Sequence, residues 1–199
     1  MILPIVAYGD PVLKREADEI DQNYPDLKKL IDNMWETMYH ALGVGLAAPQ
    51  IGKSIRLFLV DTSPFAEDAD EIKDKAEREE MKGLDGFKKV FINPIIVEEE
   101  GEEWAFNEGC LSIPGIREDV FRHEKITIEY FNEKFELVEE VYDGLKARVI
   151  QHEYDHVEGI LFTDHLNPIR KQFLKKRLND ITKGIARVDY KMKFPKARR

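Results

Sequence analysis

Apolar residues recur at helical spacing in two stretches of the chain. Leu27, Leu30, Ile31, Met34 and Met38 mark a helix from about Pro25 to Ala41. Leu145, Val149, His152 and His156, spaced 4, 3 and 4, form an inward stripe, with Arg148, Gln151, Asp155 and Glu158 opposite as a polar one. Asp143-Gly144 offers that second helix a start and Gly159 a left-handed stop. A third helix is capped by Asn167, opened by Pro168 and runs toward Ile181, before Gly184. Short β-prone runs lie at Arg56 to Asp61, Val90 to Val97, Ile126 to Phe131 and Leu137 to Tyr142, the last two joined as a hairpin around Asn132-Glu133-Lys134. Strands outnumber helices before the second helix. The pattern predicts an α+β fold, antiparallel β-sheets around a central helix with one further helix at the C-terminal end.

At 199 residues and 43% hydrophobic, the chain can bury one core without dividing. Ser63 to Lys89 departs from this pattern. Glu67, Asp68, Asp70, Glu71, Asp74, Glu77, Glu79 and Glu80 dominate it, so a charged insertion at about 63–89 is expected as a mobile surface loop. The first residues lack a basic region followed by a long apolar run, and no segment approaches about 18 apolar residues, which predicts a soluble, cytoplasmic protein without membrane contact. A single cysteine excludes an internal disulfide. Charge is unevenly divided. Twelve Lys and Arg between Arg170 and Arg199 against Asp180 and Asp189 leave a net +10, and with −9 for the chain the first 169 residues carry −19. A basic helix and tail on an acidic body point to a polyanionic partner, with no DNA-binding motif in view.

The candidate chemistry lies on the second helix, in His152-Glu153-Tyr154-Asp155-His156. Residues four apart share one helix face, so both imidazoles can grip one ion while Glu153 leans toward its open position. This spacing implies metal-assisted hydrolysis. A third ligand is needed. His40 and His165 fall near helix ends, His123 lies among charges, and Glu158 sits on the polar stripe. Cys110, between Gly109 and Leu111, is the stronger choice, because the adjoining glycine lets the backbone come close to a ligand. A thiolate with two imidazoles suits zinc, and ferrous iron, cobalt or nickel can occupy the same set.

Three motifs in order, Gly43-Val44-Gly45-Leu46-Ala47-Ala48-Pro49-Gln50, Glu108-Gly109-Cys110-Leu111-Ser112 and the His152–His156 segment, resemble those of the peptide deformylase family. The resemblance spans roughly Leu3 to Pro168, which makes 1–169 the catalytic domain and 170–199 a C-terminal helix and basic tail. It implies an enzyme that removes the formyl group from N-formylmethionine at the start of new polypeptides, releasing formate. By the same resemblance Cys110, His152 and His156 hold the metal, ferrous iron in the cell, and metal-activated hydroxide is the nucleophile. Glu153 is the general base and acid, and the Gln50 amide and Leu111 N–H stabilise the oxyanion. Val44, Phe106, Leu145 and Val149 are implied to line a methionine pocket with His152. Gly45 and Gly109 flank the bound peptide, as does Arg117. Gly43 and Gly45 leave backbone unobstructed for an extended chain to pair in β fashion. The substrate emerges from the ribosome, so the basic helix and tail are expected to touch rRNA transiently. A metalloprotease is the main rival, and it leaves the first motif unexplained.

Overall fold

The computed structural model describes residues 1–67 and 69–195. Five strands, β2 (Gly45–Ala47), β3 (Leu57–Asp61), β4 (Lys88–Cys110), β5 (Ile113–Phe131) and β6 (Leu137–Asp143), form one antiparallel sheet in sequence order. A separate parallel pair joins β1 (Ile5–Val6) to β7 (Met192–Lys193). The helices are α1 (Leu27–His40), α2 (Lys75–Lys82), α3 (Gly144–Val157) and α4 (Pro168–Thr182). The fold is α+β as expected, with α3 at its centre and α4 at the C-terminal side.

The predicted helices form where their apolar periodicity placed them. Ile31, Met34 and Met38 of α1 are buried against Leu57, Leu59 and Ile92 of the sheet. Gly159 ends α3 at φ 73°, and Ile160 N–H returns to Asp155 O at 2.8 Å, the left-handed stop that glycine permits. Asn167 Oδ1 accepts from Arg170 N–H at 2.9 Å and caps α4.

The sheet is larger than the apolar runs indicated. The strand expected at Val90 to Val97 continues to Cys110, and the one expected from Ile126 begins at Ile113. Their pairing shifts register at four places, including Gly109/Cys110, and such bulges bend a long hairpin around the helix it covers.

That hairpin corrects the reading of α3. Arg148, Gln151 and Asp155, expected on a solvent-facing polar stripe, are 1%, 3% and 9% exposed. Helical spacing had set them opposite the apolar stripe, and β4 and β5 cover them there. The insertion is also more ordered than a loop. It holds 3-10 turns at Ser63–Ala66 and Ala69–Glu71 and the helix α2, and Ala69 and Leu84 are buried anchors. Asp68 lies outside the described residues.

The C-terminal segment returns to the body. Leu174, Leu178 and Ile181 of α4 enter a core shared with Leu13, Ile116 and Phe162, and Ile5 and Ala7 N–H groups donate to Lys191 O and Lys193 O, each at 2.9 Å. The last part of the predicted basic tail, 196–199, lies outside the described residues. Among the described residues no helix is long and apolar enough to cross a membrane.

Candidate active site

Three elements converge on one cavity of about 620 Å³. Helix α3 brings His152, Glu153 and His156, the tip of the β4–β5 hairpin brings Cys110 and Leu111, and the turn after β2 brings Gln50. Cys110 Sγ lies 3.3 Å from His156 Nε2, and ligand atoms of Cys110, His152 and His156 all fall within 4.8 Å of one another. Tetrahedral bonds of ~2.3 Å to sulfur and ~2.1 Å to nitrogen imply a separation of about 3.6 Å, so the donor set fits a divalent ion.

The far side of His152 is held as well. Its Nδ1 faces Glu108 Oε2 at 2.8 Å, leaving Nε2 for the ion, an arrangement that fixes the ring's orientation and raises its basicity. Glu108 also accepts from Arg122 Nε at 2.7 Å and Arg148 Nη1 at 3.1 Å. Arg122 continues to Asp155 at 2.8 Å, and Asp155 to His165 at 2.7 Å. Burial alone would raise the Glu108 carboxyl, yet His152 and Arg122 hold it far below the usual range.

Electrostatics at the donor set favour a thiolate. Burial works against the Cys110 charge, but His156 and His152 outweigh it and bring the thiol down to about 5. Burial also opposes charge on His152, whereas Cys110 and Glu108 raise its pKa well above the ordinary value. Glu153 is in the contrary situation. Enclosed at 4% exposure, its carboxyl is pushed up to about 7 by burial, although His152 and His156 pull it down, and Oε2 has no hydrogen-bond partner. A buried carboxylate with an open lone pair is suited to taking a proton near neutrality.

Gln50 is 2% exposed and fixed at both ends. Its Oε1 accepts from Ala47 N–H at 2.8 Å, and its Nε2 points to Cys110 Sγ at 3.4 Å and Ser112 Oγ at 3.3 Å. The glycines of the first motif also have a steric use. A Cβ on Gly45 would lie 2.3 Å from Glu153 Oε1, and one on Gly43 would lie 2.8 Å from Leu111 Cδ1. Both make room for side chains of the site.

Of the residues expected around the substrate, Val44, Gly45, Phe106, Gly109, Arg117 and Val149 line the cavity together with Gln50, Cys110, Leu111, His152 and Glu153. Leu145 is buried but is not among the lining residues. Arg117 is exposed and tied to Asn107 Oδ1 at 3.0 Å. The wall includes side chains that periodicity missed: Phe65 from the insertion, Arg148 from the supposed outer stripe, and Arg187 to Tyr190 from the C-terminal segment. Ile185, Val188, Tyr190, Met192 and Phe194, apolar among the charges of this stretch, were the available signal for the last of these.

The sequence model of the polypeptide deformylase family matches residues 2–172. The chain belongs to that family. It is 60% identical over 199 residues to a peptide deformylase of Christiangramia forsetii, covering all of this chain and 99% of that one, and 57% identical to one of Flavobacterium johnsoniae with the same coverage. Among solved structures, the peptide deformylase of Thermus thermophilus is 40% identical with a TM-score of 0.75, covering 91% of this chain and 98% of that one. The Legionella pneumophila deformylase is 35% identical with a TM-score of 0.74, at 94% and 99% coverage. As a member of the deformylase family the chain is a metal-dependent hydrolase acting on formylmethionine, and the Cys110, His152 and His156 cluster is its metal-binding candidate.

Proposed function

We infer that this deformylase works through Glu153 as general base and acid, with Gln50 and the Leu111 N–H as oxyanion donors and Cys110, His152 and His156 as ligands. The observation that carries this reading is the position of Glu153: a buried carboxylate, unpartnered at Oε2, on the cavity wall beside the Cys-His-His cluster. Cys110, His152 and His156 would hold a divalent ion, which would supply Lewis acidity and lower the pKa of a water there from 15.7 to about 7. Glu153 accepts the water's proton as the formyl carbon is attacked, then delivers it to the amine nitrogen so that the peptide leaves as a neutral amine. Gln50, held by Ala47, offers its Nε2 protons to the developing oxyanion, and the Leu111 N–H offers another; each such donor is worth roughly 2.7–4 kcal/mol. Formate and a free α-amino group result.

Val44, Phe106 and Val149 form an apolar wall suited to methionine's thioether, with Gly45, Gly109 and Arg117 along the peptide's path and Leu145, one helical turn before Val149, buried on the same helix. Ferrous iron is the proposed ion in the cell, and zinc, nickel or cobalt fit the same donors. The proposed setting is the cytoplasm, on nascent chains. Lys171, Lys175, Lys176 and Arg177 lie on the exposed side of α4, which supports a transient, salt-sensitive contact with rRNA.

The roles separate by experiment. Glu153→Gln should retain one metal per chain and lose nearly all formate release. Gln50→Ala should lower kcat about 10²- to 10³-fold. Cys110→Ser should lose metal affinity. A Cys110→Ser enzyme with full metal content and activity would remove Cys110 from the ligand set.

A further inference from the structure

The hairpin tip carrying Cys110 and Leu111 is held by the chain's two ends. Tyr190 donates its hydroxyl to Leu111 O at 2.7 Å, and Tyr8 N–H donates to Ser112 O at 2.8 Å. Tyr8 follows β1 and Tyr190 precedes β7, so the parallel pairing of Ile5 with Met192 and Val6 with Lys193 joins the two anchors into one clamp. The Tyr190 ring packs with Ile5, Leu111 and Met192 in the same core cluster, and Arg187 to Tyr190 form part of the cavity wall. The turn between β4 and β5 is short, with Cys110 paired directly to Ile113. The Leu111 N–H lies in the peptide plane before Leu111 Cα, and the Leu111 O that Tyr190 holds lies in the plane after it.

We propose that the C-terminal segment from Arg187 to Lys193 is a working part of the active site, in which Tyr190 is a positioning residue that sets the Leu111 peptide and so aims the Leu111 N–H at the reacting carbonyl. The Cys110 side of the turn is fixed by its side chain at the ligand cluster, and Tyr190 fixes the other side through Leu111 O. The N–H lies in the Cys110–Leu111 plane, and with the next plane also held through Leu111 O it keeps one direction without reorganising during the reaction, which is what makes an oxyanion donor effective. The charged composition that makes this stretch resemble a solvated tail conceals a single amphipathic anchor, whose ring is in the core and whose hydroxyl reaches a backbone acceptor. The proposal rests on the reading of Leu111 N–H as an oxyanion donor.

The test is Tyr190→Phe in the full chain loaded with metal, with Phe194→Ala as a control that loosens the same terminal segment and removes no hydrogen bond to the turn. Tyr190→Phe should lower kcat on a formylmethionyl peptide about three- to tenfold, the span of one neutral hydrogen bond, with KM and metal per chain unchanged. Hydrogen exchange at the Leu111 amide should quicken in that variant. Phe194→Ala should lose Tm and keep kcat. Wild-type kcat in Tyr190→Phe, a change in KM alone, or an equal kcat loss in Phe194→Ala overturns the proposal. If the wild-type enzyme itself releases no formate, the underlying functional reading fails and the proposal falls with it.

Discussion

Gly45→Ala places one methyl group against the proposed general base. The added Cβ would sit 2.3 Å from Glu153 Oε1, 2.6 Å from Cδ and 2.7 Å from Cγ, against the 3.5–4.0 Å at which non-bonded atoms pack. The side chain must therefore move by roughly 1 Å along its stem as well as at its tip. It is 4% exposed, and the open space beside it is the cavity that it lines, so moving there displaces it from its place at the wall. Gly45 is not a positive-φ glycine, so backbone strain contributes nothing and the effect is steric. A misplacement of that size costs about 10² in rate, and overpacking costs about 1–3 kcal/mol of stability. No ligand is touched, so metal content should remain at wild-type level. The assay is kcat for formate release per bound metal, with chemical unfolding alongside. Gly43→Ala is the comparison, because its closest Cβ contact is the flexible end of Leu111, 2.8 Å away, followed by Met38 Cγ at 3.3 Å and Gly45 O at 3.4 Å, and it should cost less than about tenfold. A Gly45→Ala enzyme within threefold of wild-type kcat would refute the contact's importance.

Glu108→Ala should destabilise by about 3–5 kcal/mol in urea unfolding, because it leaves the buried Arg148 without a carboxylate and Arg122 with Asp155 alone, and should weaken metal binding about 10- to 100-fold. In the intact protein the Glu108 and Asp155 carboxyls titrate lower folded than unfolded, so their contribution is full above the ordinary values of 4.5 and 3.8 and is lost as pH falls below them. Urea midpoints should fall steeply below pH 4.5, and a flat profile there would contradict the network. Leu84→Ala should cost roughly 2–5 kcal/mol if the 63–89 excursion is packed onto the body through this anchor; a change under ~0.5 kcal/mol would restore the solvated-loop reading. Chelation should lower Tm and abolish formate release, with ferrous iron restoring both.

Much of the site was legible because its signals are local. His152, Glu153 and His156 share one turn of helix, and apolar spacing fixed which way that helix faced. What stayed hidden depends on partners distant in sequence. Arg148, Gln151 and Asp155 look like a wet face until the β4–β5 hairpin covers them, and that hairpin was itself concealed by the acids from Glu98 to Glu103, which lie on its largely exposed outer bend. Periodicity cannot show that a buried arginine is held by a carboxylate 40 residues away. The C-terminal return was hidden for a related reason: the two residues of β7, one of them a lysine and preceded by another, carry too little pattern to announce that they pair with β1. Gly43 and Gly45 were recognised as needed, while the atoms that need the space, Leu111 Cδ1 and Glu153 Oε1, come from other elements.

The central claim is tested most directly by formate release from a formyl-Met-Ala-Ser peptide, using anaerobically prepared enzyme with one metal per chain, beside Glu153→Ala and an acetylated peptide. Formate from the wild-type enzyme and the formyl peptide, with none from Glu153→Ala and no acetate from the acetylated peptide, is the predicted result. Full formate release by metal-loaded Glu153→Ala would contradict the account, as would its absence from metal-loaded wild type.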